Sequence, residues 1–167
     1  LALIVKDPAG VVGLVLPWNF PLLMAAWKLA PALAAGCSTL VKPAEQTPLS
    51  VLRLARLAAE AGLPGGVLNV LPGLGETTGQ AIGRHPYIYI VSFTGSTEVG
   101  GYFLRYAGES NLKVIGLEMG GKSPFIVLDD ADLTDDLIEH AAMSAFWNGG
   151  QNCSANMRQI VAASLAE

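Results

Sequence analysis

The feature that most restricts the fold of this chain is an alternation. Short apolar runs rich in Val, Ile and Leu are each followed by a turn punctuated by Gly or Pro, then by a segment of helical periodicity. Gly10 to Leu16 is the first run, continuous enough to suit a strand buried on both faces. Pro17-Trp18-Asn19-Phe20-Pro21 breaks it, and a helix is predicted over Leu22 to Ala35, with Asn19 or Phe20 near its cap and Pro21 in its first turn. Ser38 to Val41 reads as a strand. Thr47 as N-cap and Pro48 at the first helical position open a helix to about Ala61, closed by Gly62 and Pro64, with Leu49, Leu52, Leu54 and Leu57 as its apolar face. Val67 to Leu71 is the next strand, and Gly73 to Gly79 leads into a helix ending near Arg84. Tyr87 to Phe93 reads as a strand, Thr97 to Tyr106 as a helix, and Lys113 to Glu118 and Pro124 to Leu128 as strands. Asp132 is predicted to cap a last helix, with Asp135 in its first turn and an apolar set of Leu133, Leu137, Ile138, Ala141, Ala142 and Phe146. Such alternation with short connections gives an α/β fold, a mostly parallel sheet with helices on both faces.

Composition removes several function classes. With 51% hydrophobic and 14% charged residues, 167 residues can bury a sizeable core and are not disordered. A net charge of -4 argues against a nucleic-acid partner, which selects a basic face. The best membrane candidate, Phe20 to Leu40, is interrupted by Pro21, Lys28, Pro31 and Gly36, so no span is expected. No basic-then-apolar signal opens the chain. Two cysteines, Cys37 and Cys153, do not make a disulfide framework, and a reducing intracellular compartment fits them. The chain starts at Leu1 without methionine and stops within a strand-like run from Ile160, so it is expected to be an excerpt of a longer protein.

In a parallel sheet, ligands bind beyond the carboxyl ends of the strands. The loops there hold the most polar and glycine-rich stretches: Trp18-Asn19, Lys42-Pro43-Ala44-Glu45, Gly73 to Gly79, and Thr94-Gly95-Ser96. The Gly73, Gly75, Gly79 spacing is one residue longer than the usual dinucleotide fingerprint; it suits a phosphate at a helix start or ordinary turns. Ser96 or Thr97 suits the same phosphate, or a simple N-cap. Lys42 and Glu45 could hold ribose hydroxyls, although the pattern alone reads slightly better as a surface ion pair. Glu118 ends an apolar strand, where a carboxylate needs a partner, exposure or a raised pKa; a raised pKa would suit a general base. Cys153 lies in Gly149-Gly150-Gln151-Asn152-Cys153-Ser154, and reads either as a buried small hydrophobe or as an exposed nucleophile. Cys37 reads as core. His85 and His140 are isolated, and no metal-ligand spacing exists.

Taken in order, Pro17-Trp18-Asn19-Phe20-Pro21, Lys42-Pro43-Ala44-Glu45, Phe93-Thr94-Gly95-Ser96-Thr97, Leu117-Glu118-Met119-Gly120-Gly121-Lys122-Ser123-Pro124 and Gly150-Gln151-Asn152-Cys153 strongly resemble the NAD(P)-dependent aldehyde dehydrogenase superfamily. The resemblance spans essentially the whole chain and points to the acid-forming branch that oxidises betaine aldehyde, aminoaldehydes and γ-glutamyl-γ-aminobutyraldehyde. It implies a Rossmann-like cofactor domain over residues 9–120, preceded by the tail of an oligomerisation arm (1–8) and followed by the start of a catalytic domain (121–167). Cys153 matches the nucleophile that forms a thiohemiacetal and then a thioester. Asn19 matches the oxyanion donor that acts with the Cys153 backbone N–H, and Glu118 the base that activates water. Lys42 and Glu45 match adenosine-ribose contacts, and Ser96 a pyrophosphate contact. Leu16, Trp18, Gly75, Gly79, Phe93, Gly95, Val99, Met119 and Gly120 match the lining of the cofactor cleft. Met119 stands where leucine is commoner. An acidic residue at 45 repels a 2′-phosphate, which favours NAD, with NADP the alternative. A small aldehyde substrate, a cytoplasmic location and a homodimer or homotetramer of the longer protein complete what the resemblance implies. Two other readings stay open: a CoA-acylating aldehyde dehydrogenase, and a non-catalytic NAD-binding piece.

Overall fold

A computed structural model describes residues 2–166; Leu1 and Glu167, the outer ends of the arm and catalytic segments expected above, lie outside the described residues. The chain forms two compact units, Leu1–Glu118 and Met119–Glu167.

The first unit is built on a five-stranded sheet. Its strands are β1 (Val11–Val15), β2 (Ser38–Lys42), β3 (Leu68–Val70), β4 (Ile90–Gly95) and β5 (Val114–Met119), in the spatial order β3-β2-β1-β4-β5. β1 pairs in parallel with β2, in the register Val12 to Thr39, and with β4, in the register Val12 to Ile90; β2 pairs in parallel with β3. The chain thus moves outward from β1 to β3, then returns to place β4 on the other side of β1. The direction of winding reverses between β1 and β4, and the carboxyl edge there is a topological switch point.

The helices are α1 (Pro21–Ala34), α2 (Leu49–Glu60), α3 (Gln80–Arg84) and α4 (Thr97–Gly108). Val12, Leu14, Leu16, Met24, Ala25, Leu29, Cys37, Val41 and Val51 form one buried cluster, which joins one face of β1 and β2 to α1 and α2. Alternation along β1 turns Gly13 to the opposite face. A Cβ there would stand 2.6 Å from the γ2 methyl of Ile82 and 3.3 Å from Val91. On that side Phe93 and Phe103 pack with ring centroids 5.1 Å apart, and Tyr106 meets Phe103 edge-on at 5.8 Å.

Both long helices of the first face end in the same way. After α1, Cys37 N–H donates to the Ala32 carbonyl and Gly36 N–H to Leu33, with Gly36 at φ 77°. After α2, Leu63 N–H donates to Ala58 and Gly62 N–H to Ala59, with Gly62 at φ 94°. Each glycine takes the left-handed conformation that lets two terminal carbonyls find donors.

In the first unit, three local expectations change. Helix α2 begins at Leu49 with Pro48 already in a helical conformation, and Thr47 makes no cap bond; its hydroxyl is buried without a partner among the described residues. The inner face of α2 is Val51, Leu54, Ala55 and Ala58, while Leu49 is 78% exposed and Leu52 and Leu57 also face outward. Leucine content marked the helix, but the positions three and four apart around Val51 set its phase. Strand β4 starts at Ile90, because the chain before it closes a turn in which Ile88 N–H donates to the His85 carbonyl at 3.3 Å.

A buried polar clamp closes the end of the sheet remote from the switch point. Lys113 Nζ donates to the Gly83 carbonyl at 2.6 Å and to Ser110 Oγ at 2.7 Å, and Asn111 Nδ2 donates to the carbonyls of Pro86 and Ile88. Burial pulls the Lys113 pKa below its ordinary value.

The second unit pairs β6 (Pro124–Val127) in parallel with β7 (Arg158–Val161), with α5 (Asp135–Phe146) between them in sequence. The cap of α5 is Thr134, not Asp132: Thr134 Oγ1 accepts from the Leu137 N–H at 3.2 Å, and Asp135 and Asp136 fill the first turn. Asp132 lies two residues before the cap position. Of its expected apolar set, Leu137 and Ala141 are half-buried, while Leu133, Ile138, Ala142 and Phe146 are exposed.

Gly13→Ala should destabilise the chain by about 1–3 kcal/mol through overpacking. Urea titration of the single and double variants tests the cause: on an Ile82→Ala background the same substitution should cost at least ~1 kcal/mol less. Equal costs on both backgrounds would remove the Ile82 contact as the reason for glycine.

Candidate active site

The carboxyl edge of the first unit gathers the expected cofactor residues strand by strand. Leu16 follows β1 and extends its pairing by donating N–H to the Lys42 carbonyl at 2.9 Å. Its side chain is buried, whereas Trp18 is half exposed and Asn19 is partly covered. At the end of β2, Lys42 is 3% exposed while its ion-pair partner Glu45 is exposed, so the pair has one buried member and one at the surface. Its Nζ donates to the Pro43 carbonyl at 3.0 Å and to Glu45 Oε1 at 2.9 Å. Burial pushes the Glu45 carboxyl up, but hydrogen bonds from its own N–H, from Lys42 and from the Gly75 N–H outweigh it and hold the pKa below the usual value.

The glycines of the third loop approach this pair. A Cβ on Gly79 would lie 3.7 Å from Lys42 Cδ, and one on Gly75 would lie 4.0 Å from Glu45 Oε1. Gly73 is close-packed for a different reason, since a Cβ there would strike the Thr78 hydroxyl. Gly75–Gly79 forms a single π-helical turn that runs into α3, and Thr78 and Gly79 N–H both reach the Leu74 carbonyl. A cleft of about 250 Å³ opens beside the pair, lined by Ala44, Glu45, Pro48, Pro72, Gly73 and Leu74.

At the end of β4 the Phe93 ring folds against Gly95, where an added Cβ would meet its Cζ at 2.5 Å. Ser96 caps α4 by accepting from Val99 N–H at 3.2 Å, so the simple capping reading is the one the geometry contains. Thr94 Oγ1 is buried without a hydrogen-bond partner among the described residues. Val99 lies in the first turn of α4 at the surface. Glu118 and Met119 end β5, with Glu118 exposed and Met119 half-buried, and Gly120 follows.

Sequence reasoning treated Lys28 merely as an interruption in an apolar run. It is the one charged residue of α1, and that isolation was the available signal. Its Nζ donates to Ser92 Oγ on β4 at 2.6 Å. Burial lowers its pKa from 10.5 to about 8, with the Glu118 carboxylate pulling the other way.

In the second unit, Cys153 is exposed, which leaves the buried-hydrophobe reading without support, while Cys37 is buried as core. The loop before it is wound by three successive positive φ angles, Asn148 at 55°, Gly149 at 67° and Gly150 at 76°. The loop after it is pinned: Ala155 is 3% exposed and Asn156 N–H donates to the Ser144 carbonyl at 3.1 Å. Asn152 Oδ1 accepts from Ser154 N–H at 3.2 Å and from Ser154 Oγ at 3.0 Å, so the turn arches over its own backbone with Cys153 between these two residues. Two glycines and a left-handed asparagine therefore present a small thiol at the surface of an anchored turn. Asn19 and Glu118 belong to the first unit and Cys153 to the second. Among the described residues no cluster of three or more His, Cys, Asp or Glu could hold a metal ion, and no helix is long and apolar enough to cross a membrane.

Comparison with known proteins places this geometry. The chain is 58% identical over 167 residues to an aminoacetaldehyde dehydrogenase of Pseudomonas aeruginosa, covering 100% of this chain and 34% of that protein. It is 50% identical over 167 residues to the NADP/NAD-dependent aldehyde dehydrogenase PuuC of Escherichia coli K12, again covering 100% of this chain and 34% of that protein. Among solved structures it superposes with a TM-score of 0.92 on the indole-3-acetaldehyde dehydrogenase AldA of P. syringae, a cysteine-to-alanine mutant in complex with NAD+ and IAA. That match is 50% identical and covers 94% of this chain and 32% of the other. The chain thus spans about a third of the length of these relatives. Residues 1–167 match the description "Aldehyde dehydrogenase family". With that match over its whole length, the chain belongs to the aldehyde dehydrogenase family.

Proposed function

We propose that the protein carrying this chain oxidises an aldehyde to a carboxylic acid with NAD, and that the chain supplies the cofactor cradle, the nucleophile and the base. The observation that carries the reading is the Lys42–Glu45–Gly75 cluster at the carboxyl edge of a parallel sheet in a chain of this family. A dinucleotide fits the residues there. A lysine and an ionised carboxylate stand beside glycines that leave room above them, and the unpartnered Thr94 hydroxyl waits at the switch point beside Gly95. Lys42, Glu45, Gly75 and Gly79 would hold the adenosine ribose side. Gly95, Ser96 and the start of α4, with Val99, would face the pyrophosphate, where unpaired N–H groups and the helix dipole favour an anion. Leu16, Trp18, Phe93, Met119 and Gly120 complete the lining.

Cys153 as thiolate adds to the aldehyde carbon, and the carbonyl π pair moves to oxygen. The Asn19 amide and the Cys153 backbone N–H stabilise that oxyanion. NAD, when bound, supplies the hydride acceptor. Glu118 then takes a proton from water, which cleaves the Cys153 thioester and frees the acid. The presence of a candidate base disfavours release by CoA. We assign residues 9–120 to the cofactor domain, 121–167 to the start of the catalytic domain and 1–8 to the tail of an oligomerisation arm of a homodimer or homotetramer. A reduced nucleophilic thiol suits the cytoplasm.

The aldehyde is left open by identity over this third of the protein. Relatives named for aminoacetaldehyde and for indole-3-acetaldehyde are 58% and 50% identical to it.

In the full-length protein, Cys153→Ala should abolish NADH formation from a panel of aldehydes, and retained turnover would refute the nucleophile. Glu118→Gln should leave a single-turnover burst of NADH followed by slow steady-state turnover. Normal steady-state rates without acyl-enzyme would remove Glu118 as the base. Glu45→Ala should narrow the NAD over NADP ratio of kcat/KM by about fivefold or more, the size of a ~1 kcal/mol charge repulsion in water. An unchanged ratio would count against a ribose contact.

A further inference from the structure

Three of the chain's lysines are drawn into the first unit, and they are held differently. Lys42 and Lys113 are 3% and 6% exposed. Each places its ammonium between two acceptors, Pro43 O and Glu45 Oε1 for the former, Gly83 O and Ser110 Oγ for the latter. Lys28 is half-buried rather than enclosed. It leaves an apolar helix whose neighbouring turn carries the buried Met24, Ala25 and Leu29, and its Nζ meets the Ser92 hydroxyl at 2.6 Å. We propose that Lys28 is a carbonyl-reactive position of this chain, an amine that condenses reversibly with small aldehydes to an imine.

The surroundings supply what the condensation needs. A half-buried amine on an apolar helix is poorly solvated as an ammonium, the condition under which lysines become nucleophiles. The charged groups around it are few. Helix α1 carries no other, β1 carries none, and Lys42 on β2 is engaged with Glu45. Arg53, Arg56 and Glu60 lie on the outer side of α2, where Arg56 and Glu60 pair at 2.8 Å. Glu118 on β5 is the carboxylate whose field it feels. A pKa lowered by burial to about 8 leaves far more of the Lys28 amine neutral near pH 7.5 than an ordinary lysine has.

In the condensation the Nζ lone pair attacks the carbonyl carbon, and the π pair goes to oxygen, which gains a proton. Ser92 Oγ, within hydrogen-bond reach of Nζ, can pass that proton from nitrogen toward the new hydroxyl. A second proton, taken from solvent, lets the hydroxyl leave as water while the nitrogen lone pair closes the C=N bond, and loss of the remaining N–H proton to solvent gives the imine. The inference stands apart from the proposed oxidation, because the step needs neither Cys153 nor a nucleotide.

The test is reductive trapping in the full-length protein without nucleotide. Propanal and cyanoborohydride at pH 7.5, followed by peptide mapping, should alkylate Lys28 at least about tenfold faster than the exposed Lys6 and Lys122. Cys153→Ala should leave that ratio unchanged, which separates this site from the proposed nucleophile. Lys28→Arg should remove the label while Lys6 and Lys122 react as before. Trace acetylation from pH 6 to 11 should give Lys28 a midpoint near 8, well below the two exposed lysines. Labelling of Lys28 no faster than Lys6 and Lys122, a midpoint above 10, or a ratio that collapses in Cys153→Ala would each overturn the proposal.

Discussion

The burial of β1 on both faces is the constraint from which the first unit follows. Val12 and Leu14 meet α1 and α2 on one side, and Gly13 meets Ile82 on the other. A strand covered twice must sit inside the sheet, with a neighbour on each edge. β2 takes one edge and β4 the other, and because both run parallel to β1, all their carboxyl ends open on one side. The polar loops are collected there by topology rather than by attraction to one another. Gly13 is the price of this arrangement, since the helix beyond it packs too close for any side chain.

Much of this was legible in the sequence, and the losses have identifiable causes. A continuous apolar run marked β1 to within a residue at each end, because a doubly buried strand has no polar face to confuse the period. The Gly62 helix stop combines a missing Cβ with a required left-handed φ, which local sequence encodes directly. The inner face of α2 was not legible. Leu49, Leu52 and Leu57 outweigh Val51 in hydrophobicity, but a helix is phased by what its neighbours can accept, and β2 accepts Val51. Thr47 and Asp132 were equally good caps on paper. A cap works through a backbone position one residue before the first helical turn, and in the second case Thr134, not Asp132, occupies it.

The candidate site divides along the same line. Lys42 and Glu45 were visible as a pair, but not as one with a buried lysine and an exposed carboxylate; the cover over Lys42 comes partly from Gly79, on a turn from a distant stretch of chain. Lys28 was visible only as a charge in an apolar helix, and its partner Ser92 is 64 residues away. Local pattern locates groups that can do chemistry, whereas their solvation, which sets protonation, is settled by long-range packing.

That distinction bears on the cysteine. Nothing in Gly149 to Ser154 decides between a buried and an exposed thiol by composition, since glycines accompany both. What decides is the pair of anchors on either side. Ala155 is driven into the second unit and Asn156 is tied to α5 through Ser144, so the chain must turn back sharply just before them. Asn148, Gly149 and Gly150 provide that reversal with three left-handed residues in a row. Cys153 lies between the reversal and the anchors, and the Asx turn from Asn152 to Ser154 spends the nearby donors on a local acceptor. The turn is thus closed by the Asn152 side chain and by Ala155 N–H onto the Asn152 carbonyl, and needs no contact from the cysteine side chain. A residue freed from structural duty in an otherwise pinned loop is one whose side chain can be given over to chemistry.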